Sequence, residues 1–280
     1  MDFALAAICR LIDIVRMTAT PSFIVFSDLD GTLLDHETYS WEPARPALLR
    51  LRRLGVPVVL ASSKTAAEIE VLQQDMGLSG LPAVLENGAG LIGLEDDKRE
   101  GVDDYRKVRE TLDKLPDDLR ECFVGFGDLS VSEVSAATGL NMADAARAKA
   151  RRFSEPGSWQ GSGDAQQAFI SALEKLGISA RKGGRFLTLS LGATKADQMD
   201  RVVDAFGSSI CIALGDAPND IEMLEHADYG AIIHNPNAPA LPRLKGEDEG
   251  RIHRTKEAGP LGWREAINHF LDRLGDRAHG

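Results

Sequence analysis

The chain has 280 residues, of which 43% are hydrophobic and 27% charged, so it is long enough to bury one large core or two modest ones and too apolar for intrinsic disorder. Its 32 basic against 43 acidic side chains leave a formal charge of −11, which repels a polyanion and excludes nucleic acid as a partner unless a local basic patch overrides the field. Cys9, Cys122 and Cys211 are odd in number and far apart, which excludes a disulfide framework or a CxxC metal site and fits a reducing, cytoplasmic setting.

Residues 1–20 read as an N-terminal leader or amphipathic helix. Residues 3–15 are apolar, but Asp2, Arg10, Asp13 and Arg16 recur too often for a signal sequence or a membrane span, which needs about 20 mostly apolar residues. Met17, directly before TATPSFIVFSDLD, is an alternative start. Short apolar runs that end in polar residues follow: FIVFSDLD at 23–30, VPVVLASS at 56–63, PAVLENG at 82–88, ICIALGD at 210–216 and AIIHN at 231–235. Runs that are continuously apolar rather than alternating suit strands buried on both faces, as in parallel sheets flanked by helices. Between them, residues 65–76 open with Thr65 and Glu68 at capping-box spacing and stop at Gly77, and residues 195–206 carry Met199, Val202, Val203 and Phe206 before Gly207. The pattern predicts an α/β protein with a doubly wound, parallel, Rossmann-like core.

The rhythm changes between residues 94 and 191. The charge is denser there, as in EDDKREGVDD at 95–104, helices are expected near 142–150 and 164–176, and Gly183-Gly184 between two β-prone runs reads as a hairpin or simply a tight turn. Apolar runs resume afterwards, so residues 21–93 and 192–280 form the core and residues 94–191 an inserted α+β domain.

In an open parallel sheet, ligands bind outside the carboxyl ends of the strands at the topological switch point. That rule collects Asp28, Asp30, Ser62, Ser63, Asn87 and Asp216 in one crevice. Carboxylates crowded in this way repel one another unless a cation lies between them, and hard oxygen ligands suit Mg²⁺. The same residues also suit simpler work: DG at 30–31 and PND at 218–220 are ordinary turn chemistry, and Ser62 and Ser63 can cap the helix that follows. His36, His226, His234 and His253 show no metal-ligand spacing and read as surface or loop residues.

Asp28-Leu29-Asp30-Gly31-Thr32, Ser62 at the end of the second apolar run, Lys195 opening a helix, and Gly215-Asp216-Ala217-Pro218-Asn219-Asp220 resemble, in order, the four motifs of the haloacid dehalogenase-like phosphatases. The resemblance implies that Asp28 is the nucleophile, forming an aspartyl-phosphate. Asp30 would be the general acid for the departing alcohol and then the general base for water. It implies Mg²⁺ held by the Asp28 carboxylate, the Asp30 backbone carbonyl and Asp216, with Asn219 and Asp220 holding the ion's waters and orienting Asp216. Ser62 would hydrogen-bond a phosphoryl oxygen and Lys195 would add positive charge beside it.

Further marks resemble the mannosyl-3-phosphoglycerate phosphatase family over residues 22–272: Ser62-Ser63-Lys64-Thr65, Glu86-Asn87-Gly88, Arg152-Phe153-Ser154-Glu155-Pro156, Gly183-Gly184-Arg185-Phe186 and Gly259-Pro260-Leu261-Gly262-Trp263. This implies that the insert is a cap that selects a small phosphorylated substrate, mannosyl-3-phosphoglycerate, to be cleaved to mannosylglycerate. Glucosyl-3-phosphoglycerate or another sugar phosphate is the alternative. Arg151, Arg152, Lys182 and Arg185 would form a basic cluster for the substrate's anions on either side of Glu155, which would accept hydrogen bonds from sugar hydroxyls, with Ser63, Lys64, Asn87 and Gly184 completing the contacts. RAKARR at 147–152 reads equally well as a basic helix C-terminus facing the macrodipole. A phosphomutase and a phospho-acceptor receiver domain share the strand-end aspartate and the metal site. The candidate acid Asp30 and the long insert speak against the receiver.

Overall fold

The computed structural model describes residues 23–94, 102–183, 185–208 and 210–277. The expected leader at 1–20 and Gly184 lie outside them. The chain divides into two compact units, one of Met1–Leu60 with Met199–Gly280 and the other of Ala61–Gln198.

The first unit is built on parallel strands. Strands β1 (Ile24–Ser27) and β2 (Val58–Ala61) flank helix α1 (Arg45–Arg53) in sequence. After the second unit the chain returns through β9 (Cys211–Gly215), α9 (Ile221–His226), β10 (Tyr229–His234), β11 (Ile252–Ala258) and α10 (Gly259–Arg277). Their order is β11-β10-β9-β1-β2, and every pairing among them is parallel. β1 and β9 are buried along their whole length, which is why their sequences run apolar without alternation. This is an α/β, Rossmann-like arrangement. Trp263, Ala266, Ile267, Phe270 and Leu271 of α10 are all buried. Their spacing of three and four residues is the stripe by which a helix packs on a sheet.

The second unit holds α2 (Ala66–Met76), the antiparallel hairpin β3 (Ala83–Leu85) and β4 (Gly90–Ile92), and an α+β part. In that part β5 (Phe123–Gly125), β6 (Ser154–Trp159), β7 (Ser179–Gly183) and β8 (Phe186–Ser190) form an antiparallel sheet in the order β5-β6-β8-β7. It carries α3 (Val102–Leu112), α4 (Asp117–Arg120), α5 (Val131–Thr138), α6 (Met142–Lys149) and α7 (Gly163–Lys175), and the unit ends in the start of α8 (Lys195–Phe206). Val108, Leu112, Phe123, Phe169, Leu173, Leu187 and Leu189 make its main apolar core, where the Phe123 and Phe169 rings stack at 5.4 Å. The capping box at Thr65 is present, with the Glu68 amide donating to Thr65 Oγ1 and the Thr65 amide to Glu68, and α2 stops at Gly77 with φ of 69°.

Several elements depart from the sequence expectation. β6 contains Pro156 and Gly157, both poor strand formers, yet it is an interior strand. The Pro156 carbonyl still accepts the Phe126 amide at 2.9 Å. β11 is hidden by its charged residues, whose partners the structure supplies: Arg254 binds Glu247 and the carbonyls of Leu241 and Pro242. His253 lies within β11, half-buried and stacked on His269 at 4.3 Å, whereas His234 ends β10 and is exposed, as a surface residue. No helix among the described residues is long and apolar enough to cross a membrane.

An ion network braces the α+β part. Asp128 accepts from Arg109 at 2.6 Å, Arg120 at 2.8 Å and the Gly125 amide at 2.9 Å. Burial pushes its carboxyl up, but the two guanidinium hydrogen bonds and the amide outweigh that and hold it down at about 2. A carboxyl depressed in the folded state contributes stability that is complete above its ordinary value near 3.8 and is lost as the pH falls through about 2. Asp128→Asn is therefore expected to lower the melting temperature at neutral pH and to flatten its decline between about pH 4 and pH 2. Parallel acid limbs for the two proteins would contradict this.

Candidate active site

β1 and β9 are neighbours in register, Ser27 opposite Leu214, and the Asp28 amide donates to the Leu214 carbonyl at 2.9 Å. Asp28 and Asp216 therefore leave the sheet side by side at the carboxyl ends of two parallel strands. This is also where the strand order reverses, since the chain moves from β1 to β2 on one side and later to β9 on the other. Ligand oxygens of Asp28, Asp216 and Asp220 lie within 4.8 Å of one another, and all three residues are buried. Asp30 is half-buried and bridges to Leu34 across the turn that follows β1.

The surroundings hold Asp216 tightly. Thr32 Oγ1–H donates to its Oδ1 at 2.5 Å and the Asn235 amide group to its Oδ2 at 2.7 Å. Asp220 Oδ2 accepts the amides of Asp216 and Ala217, each at 3.1 Å. Asn219 is exposed in the short 3-10 turn Pro218–Asp220. Three buried carboxylates at this spacing repel strongly in a low dielectric, and a donor set made only of hard oxygens suits a small divalent cation. The residues present thus fit a Mg²⁺ ion. Asp220, expected from sequence to orient Asp216 and hold the metal's waters, accepts the Asp216 amide and also brings a carboxylate oxygen within 4.8 Å of the other two. Thr32 and Asn235 were given no role from sequence. The available signal was that Asn235 ends an apolar run and that Thr32 directly follows the Asp-Gly turn after β1.

The second unit gathers other expected residues. Ser62 is buried, its amide donates to the Val84 carbonyl, and its own carbonyl accepts the Asn87 amide at 2.9 Å. Glu86, Asn87 and Gly88 all have positive φ, at 51°, 61° and 95°, a run of strained backbone held by its neighbours. A Cβ on Gly88 would lie 2.0 Å from the Thr194 carbonyl carbon and 2.3 Å from the Lys195 nitrogen, and Gln198 donates to the Gly88 carbonyl at 2.7 Å. The strained turn therefore abuts the start of α8, and Ser62, Asn87 and the buried Lys195 come into one neighbourhood of this unit. Ser63 is exposed, and Lys64 is half-buried with its amide donating to Ser62 Oγ.

The expected substrate residues of the insert are only partly brought together. Glu86 is buried and accepts the amides of Arg152, Phe153 and Ser154 at 2.9, 3.2 and 2.7 Å, besides the Ser154 hydroxyl and Arg151. Arg151 also binds the Ser63 carbonyl and Ser154, so its guanidinium is engaged inside the unit. Glu155 is fully buried, with Oε1 accepting the Gly127 amide at 2.7 Å and Arg109 at 3.2 Å, while its Oε2 is buried without a hydrogen-bond partner among the described residues. The basic cluster is split by register. Ser154 pairs with Ser190 but Gly157 pairs with Leu187, as does Lys182, so Arg152 stands beyond one end of the ladder and Lys182 and Arg185 near the other. About 10 Å of strand lies between the two ends. Lys182 is exposed, and Arg185 is exposed and donates to the Thr138 carbonyl. Gly157 stands where a Cβ would meet the Phe123 ring at 2.4 Å, which leaves no room for a bulky side chain.

Gly31 has φ of 84°, and a Cβ there would lie 2.7 Å from Asp216 Oδ2. Gly31→Ala would strain the turn and displace the Asp216 carboxylate. We expect it to weaken Mg²⁺ binding, read as the metal-dependent rise in melting temperature, by about ten-fold or more. An unchanged Mg²⁺ response would contradict the placement of Asp216.

The family profile described as haloacid dehalogenase-like hydrolase matches residues 25–155 and 161–245. Among solved structures the fold is similar to that of BT1666 from Bacteroides thetaiotaomicron, a phosphatase of the haloalkanoate superfamily, with a TM-score of 0.63, 18% identity, and 90% of this chain and 96% of that one covered. It is also similar to the sucrose-phosphatase of Synechocystis sp. PCC6803 in complex with sucrose and phosphate, with a TM-score of 0.61, 17% identity, and 89% and 98% covered. The subclass IIB sugar phosphatase BT4131 gives a TM-score of 0.59 at 17% identity, with 88% and 98% covered. At these identities the structural likenesses speak to the fold, whereas the profile spans most of the sequence, and with the strand-end aspartates it shows that the chain belongs to the haloacid dehalogenase-like hydrolases.

Proposed function

We propose that the protein is a Mg²⁺-dependent phosphomonoester hydrolase that acts through an aspartyl-phosphate at Asp28. The observation that carries this reading is the convergence of the Asp28, Asp216 and Asp220 carboxylates at the switch point of the parallel sheet. A phosphate monoester resists attack because it is already anionic, so a catalyst has to offset that charge, align a nucleophile and protonate the departing oxygen. When bound, Mg²⁺ offsets the charge of the carboxylates and the phosphoryl group.

The chain's own groups do the rest. An Asp28 carboxylate oxygen bonds to phosphorus as the bond from phosphorus to the ester oxygen breaks, and Asp30 gives its proton to that oxygen. Asp30 then takes a proton from water, whose oxygen bonds to phosphorus while the acyl-phosphate bond breaks, releasing phosphate and restoring Asp28. Thr32 and Asn235 hold Asp216 in place throughout. Ser62 and Lys195 are proposed to bind phosphoryl oxygens, with Asn219 orienting the metal's water.

As substrate we favour a glycosyl phosphate, and among these mannosyl-3-phosphoglycerate, with glucosyl-3-phosphoglycerate next. In support, two structural neighbours are named as phosphatases of sugars, one of them complexed with sucrose and phosphate. The two segments that resemble the mannosyl-3-phosphoglycerate family, Glu86–Gly88 and residues 152–156, also meet through the Glu86 carboxylate. We assign Arg152, Lys64 and Asn87 as the residues to test for the substrate's anions.

A phosphate-release screen over glycosyl-3-phosphoglycerates, sugar phosphates and nucleotides, with Mg²⁺ or with EDTA, tests the reading. Release from a glycosyl phosphoglycerate that EDTA abolishes is expected. Asp28→Asn should lose at least about a thousand-fold in kcat, and Asp30→Asn about a hundred- to ten-thousand-fold. Turnover that survives EDTA, or survives Asp28→Asn, would overturn it.

A further inference from the structure

The segment Gly259-Pro260-Leu261-Gly262-Trp263 has no part in the chemistry above, yet it is built with care. Gly259 has φ of 51°, which turns the chain from β11 into α10. A Cβ on Gly262 would lie 2.2 Å from the Glu257 carbonyl oxygen and 2.8 Å from Thr255 Oγ1, so only glycine lets the helix start lie this close to the end of the strand. The close approach carries the next residue, Trp263, fully into the core. There the indole Nε1–H donates to Ser27 Oγ at 2.9 Å, and the Ser27 hydroxyl donates to the backbone carbonyl of Asp28 at 2.7 Å. Ser27 is likewise fully buried.

We propose that Trp263, acting through Ser27, is a positioning residue for Asp28. The Asp28 amide bonds this segment to β9 at the Leu214 carbonyl, directly after the end of β1. The orientation of the next peptide plane sets where the carboxylates of residues 28 and 30 stand. A hydroxyl alone can rotate away, but one that accepts from a fixed indole has its own proton directed elsewhere, and here that proton falls on the Asp28 carbonyl. The indole cannot move, because its ring is packed in the core and its helix is locked against β11 by Gly262. The arrangement thus converts the packing of α10 into the aim of the reacting carboxylate.

The kinetic arm of the test rests on the phosphatase reading, and the binding arm does not. Trp263→Phe keeps an aromatic ring and removes the donor, and Ser27→Ala removes the link. With the substrate identified by the screen, both variants are expected to lower kcat by about ten-fold with KM unchanged, since small misplacements of reacting groups cost rate. Both should also raise the Mg²⁺ dissociation constant measured by titration calorimetry without substrate. The double variant should lose no more than either single one, because the two act in series. If Trp263→Phe proves unstable, Ser27→Ala alone decides. Equal kcat and equal Mg²⁺ affinity for wild type and Ser27→Ala would overturn the inference, as would fully additive losses in the double variant. A wild type that releases no phosphate from any compound would fail the phosphatase reading, and the Mg²⁺ affinities would still decide the role of Trp263.

Discussion

The mutual repulsion of three buried carboxylates is the constraint on which the first unit depends. Asp28, Asp216 and Asp220 are brought within 4.8 Å only because two parallel strands end side by side and a short turn folds the third back onto them. Such a cluster would expel charge or open to water unless its geometry were enforced from all sides. The enforcement is visible: Thr32 and Asn235 on the oxygens of Asp216, backbone amides on Asp220, and a glycine at position 31 where any side chain would strike the cluster. Much of the polar structure around the switch point thus serves to hold like charges together, in a donor set that fits a divalent cation.

The second unit solves a different problem with the same materials. Glu86 and Asn87 have positive φ although neither is glycine, and the strain is held by hydrogen bonds from three consecutive amides to the Glu86 carboxylate. A buried carboxylate here does the work of a strand pairing, tying the turn after β3 to the start of β6. Asp128 and Glu155 repeat the device with arginines, so the α+β part is braced by ionic contacts around a modest aromatic core.

The architecture was readable wherever apolar runs were unbroken and ended in polar residues. β1, β2, β9 and β10, the capping box at Thr65 and the hairpin between β7 and β8 all follow from local patterns. β6 was not readable, because Pro156 and Gly157 carry no strand signal and are tolerated only through partners distant in sequence. β11 and α10 were missed for a related reason: the charges of β11 find tertiary partners, and α10 opens on glycines whose purpose is close packing rather than capping. At the site, the aspartates stood out as acids at strand ends. Thr32 and Asn235 did not, since a hydroxyl or amide gains its role only from the geometry of the group it donates to. The split of Arg152 from Lys182 and Arg185 was equally invisible, because register along β6 and β8 is set by the pairing of whole strands.

The central claim is that Asp28 becomes bonded to phosphorus. Acyl phosphates are reduced by borohydride, so quenching the enzyme during turnover with labelled borohydride and mapping the peptides by mass spectrometry reports directly on the bond. The account predicts homoserine at position 28, formed only when both substrate and Mg²⁺ are present. Label at another carboxylate, or none at position 28 while phosphate is being released, would contradict it.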